Sequence, residues 1–459
     1  MISFVAAVVG LLVILWLAVR RTPAVLASAL ILFGLTYRIV DVAYLDMFGP
    51  VYATELTKFV GGQVSAPFFV AAVMAFVLPA AYMFRPQSLL RGLDLPLHDT
   101  ATGAQFRLLV LCGVALLLAA LYADMLRIGT IPLLTGMDRL AYEEIAGVLH
   151  NPTYNLGFLP AGALGIVAVQ PRLQGRPYDR VAIVLFLLLL TYWALTGNRF
   201  SAFLLAGSFF ALPFAAPVAA GRAGLLPSGQ QNDPWAALVS AKVLVPIVFF
   251  LGSLAVIGLI RNSYFEVRGY ADPTFEIFQR VFVQPVQIYA SVWADHAMSG
   301  DAGFNWNAID QVLLYPDDPS GNTTMRYLMI RELGYFRAME LISYGTQYAG
   351  GFPEIFIELF GVYAALPLIL LVGTLAAWIA RLVVRQTLAG HILSALAAIY
   401  VYFAFNLTFV GGMLNSLIAP SLAAKVVMLV IVMIFERYAI KRSHIRLPAG
   451  QATPSNGLA

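Results

Sequence analysis

Apolar residues fill this chain in long unbroken runs, not in the short alternations of a soluble helix or strand. Eleven runs, approximately 3–20, 24–45, 67–84, 107–124, 155–170, 181–196, 199–217, 240–260, 354–380, 390–409 and 414–435, approach the length needed to cross a bilayer. A helix needs roughly 20 residues to cross about 30 Å of hydrocarbon. The expected fold is all-α: a polytopic membrane helix bundle of about 11 spans. One stretch breaks the pattern. Residues 261–353 carry six arginines (261, 268, 280, 326, 331 and 337), ten acids and no lysine, together with aromatic runs such as Phe275-Glu276-Ile277-Phe278. This stretch is too polar to span and too aromatic for a loose linker.

Composition agrees with the bilayer as main solvent. Of 459 residues, 60% are hydrophobic and 11% charged, with a mean hydropathy of +0.82; a soluble domain is about 25% charged. The net charge of +4 is no nucleic-acid signature. Cys112 is the single cysteine, which excludes a disulfide framework and a thiolate metal site. The five histidines are scattered without metal-ligand spacing, and no Walker loop, Rossmann glycine pattern or HExxH occurs. No cofactor and no metal is expected. The chain meets apolar residues before its first charges, Arg20-Arg21, the reverse of a secretory signal, so 3–20 is expected as a retained span.

Charge sets the expected orientation. Numbering the connections alternately from an outside N-terminus places sixteen lysines and arginines inside. The short outside connections hold Lys58, Arg127, Arg139 and Arg199. The positive-inside rule then makes the C-terminus cytoplasmic and 261–353 periplasmic. The expected organisation is spans 1–8 in 1–260, with outer loops 46–66 and 125–154. A large periplasmic loop follows at 261–353, spans 9–11 lie in 354–446, and a disordered cytoplasmic tail covers 447–459. In the large loop, Phe275, Phe278, Phe282, Val286, Tyr289 and Trp293 recur at three- and four-residue steps, which predicts an amphipathic helix over 273–298 kinked at Pro285. A second helix is expected from Met325 to Tyr344.

Several side chains are candidates for chemistry. Arg199, in the tight connection Thr196-Gly197-Asn198-Arg199, reads either as a cation snorkelling from a turn or as a guanidinium aimed at a phosphate or diphosphate. Glu354 follows Pro353 in the first turn of a span, where the helix dipole favours an acid. Glu358 shares its face one turn deeper, where an acid is costly and a general base or an arginine pair is the natural explanation. Arg261 stands where the eighth run ends, with Arg326 and Arg331 after it in the loop. Asp295 and His296 form a possible acid–base dyad, although neighbours on a helix diverge. Glu332 reads as an acid–base alternative or as a salt-bridge partner for Arg331. Arg38 and Lys425, within apolar runs, belong to a polar interior.

Three segments also carry a resemblance. Ile128–Arg139 (Ile-Gly-Thr-Ile-Pro-Leu-Leu-Thr-Gly-Met-Asp-Arg), Leu195–Phe200 (Leu-Thr-Gly-Asn-Arg-Phe) and Gly350–Gly361 (Gly-Gly-Phe-Pro-Glu-Ile-Phe-Ile-Glu-Leu-Phe-Gly) resemble, in that order, motifs of the Wzy-type O-antigen and exopolysaccharide polymerases. The resemblance implies an inner-membrane glycosyltransferase, metal-independent, that joins polyprenyl-diphosphate-linked oligosaccharide repeats at the periplasmic face. Chain-length regulator and flippase proteins would be its partners. It carries Arg139, Arg199 and Glu358 over as site residues, with arginines on the diphosphate. The related ligases hold a histidine near the end of the large loop, where Ser343-Tyr344-Gly345-Thr346 stands here. The alternatives are such a ligase, moving glycan from lipid diphosphate to another acceptor, and a polysaccharide transporter or flippase.

Overall fold

The computed structural model describes residues 1–91, 101–135, 139–197, 200–226, 278–299, 303–316, 321–343 and 350–445, with Leu93, Met137, Phe275 and Tyr348. The expected span at 240–260, Arg199, Arg261 and the tail from 447 lie outside these residues.

Helices dominate. In chain order they are α1 (Ile2–Arg20), α2 (Thr22–Ala27), α3 (Ala29–Phe48), α4 (Ala66–Met83), α5 (Pro86–Leu90), α6 (Ala101–Ile128), α7 (Pro132–Thr135), α8 (Arg139–Ile145), α9 (His150–Leu156), α10 (Phe158–Leu173), α11 (Arg180–Leu195), α12 (Phe200–Ala211) and α13 (Ala215–Arg222). After the undescribed stretch come α14 (Gln287–Ser299), α15 (Trp306–Ile309), α16 (Thr323–Leu333), α17 (Tyr335–Ser343), α18 (Glu354–Leu388), α19 (Ile392–Gly411) and α20 (Pro420–Ile445). One antiparallel hairpin, β1 (Val51–Ala53) and β2 (Lys58–Val60), pairs Tyr52 with Phe59 between α3 and α4.

The expected count of about 11 spans is overturned. Among the described residues six helices are long and apolar enough to cross a membrane, or up to seven if the bent pair α9–α10 is one span. Charge, length and a bend account for four of the five runs not counted, and the fifth, 240–260, lies outside the described residues. The run at 24–45 folds as two helices broken at Ser28, and α3 carries Arg38, Asp41 and Asp46. The run at 181–196 makes only the 16-residue α11, and α20 carries Lys425, Glu436 and Arg437. The run at 155–170 belongs to the pair bent by 62° at Gly157. An alternating assignment of connections to two sides, built on eleven crossings, therefore no longer holds.

The helices share two ends. α18 lies along α4 and α19. A Cβ on Gly373 would stand 2.8 Å from the Ala75 carbonyl oxygen, so only a glycine permits this approach of α18 to α4. At one end Asp46 accepts hydrogen bonds from the Ser65 and Ala66 amides at 2.8 and 2.7 Å and from the Ser3 hydroxyl at 2.7 Å. That carboxylate ties the start of α1, the end of α3 and the first turn of α4 together. At the other end the Arg381 and Arg385 guanidiniums donate to the Ser88 carbonyl in α5.

The large loop packs on the Asp46 end. Its first aromatic repeat is not one helix. A π-helical turn at Gln279–Val283 and a turn at Pro285 precede α14. The spacing still places the rings on one face: Phe278 and Phe282 lie 5.6 and 5.5 Å from Tyr44, Tyr289 lies 5.2 Å from Phe69, and Trp293 lies 5.2 Å from Phe68. The expected helix from Met325 to Tyr344 breaks at Gly334, whose φ of +77° leaves the helical region.

The return into α18 is fixed by glycines. Gly351 and Gly412 both have positive φ, and a Cβ on Gly412 would lie 2.3 Å from the Gly351 main chain. Gly412→Ala should therefore destabilise the protein by about 1–3 kcal/mol, through overpacking and strain together. A thermal unfolding midpoint equal to wild type would contradict this.

Candidate active site

Glu358 is the centre of a polar cluster at the loop end of the bundle. Its side chain is 5% exposed. A kink at Gly361, with φ of +72°, separates the segment Glu354–Phe360 from the rest of α18. Glu358 thus sits in a short helical entry segment with the loop folded over it. The Asn305 amide nitrogen donates to the Leu359 carbonyl at 2.9 Å, which joins α15 to that segment.

Four side chains converge on the Glu358 carboxylate. Asn305 Nδ2 and the Tyr327 hydroxyl donate to Oε1, each at 3.2 Å. His296 Nε2 lies 3.1 Å and Arg331 Nε 2.9 Å from Oε2. Tyr327 and Arg331 are one helical turn apart on α16, so one face delivers both. Asn305 also caps α15 through the Ala308 amide, which fixes its rotamer.

Arg331 is shared among three acids. Nε faces Glu358, Nη1 faces Glu332, and Nη2 lies 2.6 Å from Asp295 Oδ2. Glu332, only 1% exposed, takes Lys58 Nζ at 2.5 Å and the Ser291 hydroxyl at 2.8 Å on its other oxygen. Lys58 comes from the hairpin, which the loop grips elsewhere: Gln279 donates to the Tyr52 carbonyl, Gln287 to Glu55, and Tyr348 to the Glu55 carbonyl, at 2.7–2.9 Å. Burial works against the Arg331 charge, but Glu358, Glu332 and Asp295 outweigh it and raise its pKa above the ordinary guanidinium value.

The charge of the cluster has a chemical consequence. Among the described residues, three carboxylates (Glu358, Glu332, Asp295) stand against two fixed cations (Arg331, Lys58) around His296. The Glu358 carboxylate beside Nε2 can balance a proton placed on the imidazole. Donation of Nε2–H to Glu358 fixes the tautomer whose basic lone pair is on Nδ1. Burial, then the neighbouring Glu358, pushes the Tyr327 phenol up to about 12. Tyr327 therefore stays a hydrogen-bond donor at any working pH. Tyr327→Phe should lower the thermal unfolding midpoint, since a donor to the buried Glu358 carboxylate is lost, at about 1–3 kcal/mol for a buried group left short of a partner. A midpoint equal to wild type would contradict this.

Glu354 has a different partner. Its carboxylate receives Arg38 Nη2 at 3.0 and 3.1 Å and the Gly351 amide, while Arg38 Nη1 donates to the Phe352 carbonyl. Arg38 is 4% exposed and Glu354 fully buried. The two glutamates share a helix face in sequence but serve separate cations. Arg38 was legible only as a polar-interior residue; its partner 316 positions away was not.

Asp295 and His296 do not form a dyad with each other: Asp295 bonds Arg331, and His296 bonds Glu358. Arg326, half-buried on α16, lies five residues before Arg331, about 140° around the helix, and is engaged in interactions of its own. Arg139 begins α8. A Cβ on Gly197 would stand 3.6 Å from Pro132, and α11 contacts α7, so the second resembling segment lies beside the first. Sequence reasoning missed Asn305, Tyr327, Ser291 and the role of Lys58. Tyr327's spacing to Arg331 was the one available signal. Among the described residues no group of three or more His, Cys, Asp or Glu is arranged to hold a metal ion.

Residues 318–426 match a family described as "Family of unknown function (DUF6418)". The match covers Arg326, Tyr327, Arg331, Glu332, Glu354 and Glu358, but not His296, Asn305, Lys58 or Arg38. No curated protein and no solved structure matches the chain.

Proposed function

We propose that this protein is a membrane glycosyltransferase that polymerises polyprenyl-diphosphate-linked oligosaccharide repeats into a surface polysaccharide. The observation that carries this reading is the buried Glu358–His296 pair, held by Arg331 where the loop folds over the entry to α18. Such a pair is suited to accept a proton from a sugar hydroxyl. In the proposed step the hydroxyl oxygen of the incoming repeat attacks the anomeric carbon of the growing chain. The carbon–oxygen bond to the diphosphate breaks, and its electron pair leaves with the lipid diphosphate. The hydroxyl proton passes to His296, with Glu358 orienting the ring and balancing its charge.

The leaving diphosphate needs cations of its own. Arg331 is committed to three carboxylates, so we assign it to positioning and place the diphosphate on Arg199, Arg261, Arg139 and Arg326. The folded loop would exclude water, since hydrolysis of the donor would end the chain. The charge at the helix ends supports a sidedness. Arg20, Arg21, Arg85, Arg222, Arg381 and Arg385 gather at the end of the bundle away from Glu358. By the positive-inside rule that end would be cytoplasmic, which is consistent with a site on the outer face of a bacterial inner membrane.

Polymerase and ligase differ in what accumulates. Cells lacking the protein should hold single lipid-linked repeats. Long lipid-linked polymer in those cells would assign ligation instead, and Arg199→Ala with unchanged polymer at normal protein level would refute the site.

A further inference from the structure

The end of the bundle opposite Glu358 contains a concentration of positive charge that nothing in the described structure neutralises. Arg222, the last residue of α13, donates from Nη1 to the Arg20 carbonyl at 2.9 Å and from Nη2 to the Val19 carbonyl and the Thr22 hydroxyl at 3.1 and 2.6 Å. Arg21 reaches only the Arg20 carbonyl, at 3.5 Å, and its Nε is buried without a partner. Arg381 and Arg385 share the Ser88 carbonyl at 2.7 and 3.3 Å, and Arg385 adds the Arg91 carbonyl at 3.1 Å; the Arg381 Nε is likewise buried and unpartnered. α13 packs on α2, α5 and α18, so both groups belong to one surface.

None of these five guanidiniums makes an ion pair among the described residues, whereas every carboxylate of the Glu358 cluster has a cation. Helix carbonyls offer only partial charge and use a minority of the five N–H donors on each side chain. Gathering like charges costs free energy unless an anion is shared among them. The neighbouring surface says which anion. In the last turns of α1, directly before Arg20, Leu15, Trp16 and Val19 are 59%, 49% and 59% exposed. An apolar strip ending in a guanidinium cluster fits a molecule with acyl chains and a phosphate, and an indole at that boundary fits the membrane interface.

We infer that Arg20, Arg21, Arg222, Arg381 and Arg385 form a binding site for the phosphate of an anionic phospholipid, with its acyl chains along the exposed face of α1. The inference is independent of the proposed activity. The test is native mass spectrometry of the full-length protein in neutral detergent. Phosphatidylglycerol, phosphatidylcholine or inorganic phosphate is added, and melting midpoints are recorded in parallel. Phosphatidylglycerol should be retained in preference to phosphatidylcholine and should raise the midpoint. Arg21→Gln and Arg381→Gln should each weaken retention about fivefold, the effect of one basic side chain at an anionic surface. Arg21 makes a single long bond, so its variant retains the fold. Equal retention of both lipids, or wild-type retention in both variants, would overturn the site. A midpoint raised as far by inorganic phosphate as by phosphatidylglycerol would assign the arginines to a free anion and overturn the lipid.

Discussion

Glu358→Gln is expected to lower polymer synthesis at least about a hundredfold with the protein still present at wild-type level. Glutamine preserves the volume, and its carbonyl oxygen still accepts from Asn305 and Tyr327. The negative charge opposite Arg331 and His296 is what disappears. Without it the imidazole loses the partner that stabilises its protonated form, and removing a general base or its charge partner typically costs 10²–10⁴-fold. His296→Gln should cost a similar factor, and the double variant little more, because the two side chains act as one unit. Arg331→Lys separates charge from geometry. It keeps the cation but loses the fork that reaches three carboxylates, so a substantial loss is expected there too. Polymer of normal length from Glu358→Gln, read on a gel against protein abundance, would remove this site from the mechanism. A large loss in Glu358→Gln with none in His296→Gln would make the carboxylate itself the base.

Much of this arrangement was legible in the chain, and the rest had physical reasons for staying hidden. Membrane helices and the position of the loop follow from one-dimensional information, apolar run length and charge density, and the cost of an acid one turn into a span singles out Glu358 as a residue that needs partners. The number of crossings does not. Arg38, Asp41 and Asp46 look like interruptions of an apolar run, but Arg38 and Asp46 are satisfied by residues far along the sequence. Run length alone cannot tell a paired interior charge from a helix that stays out of the membrane. The site shows the same limit. Tyr327 went unnoticed although its four-residue spacing to Arg331 puts both on one face of α16, and only the fold brings that face against Asn305, His296 and Glu358. Arginine count in the loop says nothing of what each guanidinium meets: Arg331 is occupied by three carboxylates.

The buried Arg38–Glu354 pair should dominate stability. Arg38→Met or Glu354→Leu alone leaves an uncompensated charge in the interior, and breaking such a pair typically costs about 3–5 kcal/mol. That exceeds the effect of most surface substitutions severalfold. The double variant distinguishes a true pair from two separate losses. If each charge is costly mainly because its partner is gone, Arg38→Met/Glu354→Leu should be more stable than either single variant. It should still fall short of wild type, because the Gly351 amide and the Phe352 carbonyl each lose a partner, at about 1–3 kcal/mol for each buried group left unsatisfied. Unfolding of the three purified variants, followed by circular dichroism in detergent, gives the cycle. Single-variant losses that simply add in the double would show that Arg38 and Glu354 stabilise the protein independently. The entry of α18 would then be held by its glycine contact with Gly412 rather than by charge. A recovered double variant would instead make the pair a latch between α3 and the entry segment carrying Glu358, and its polymer synthesis would report how far that latch sets the geometry of the site.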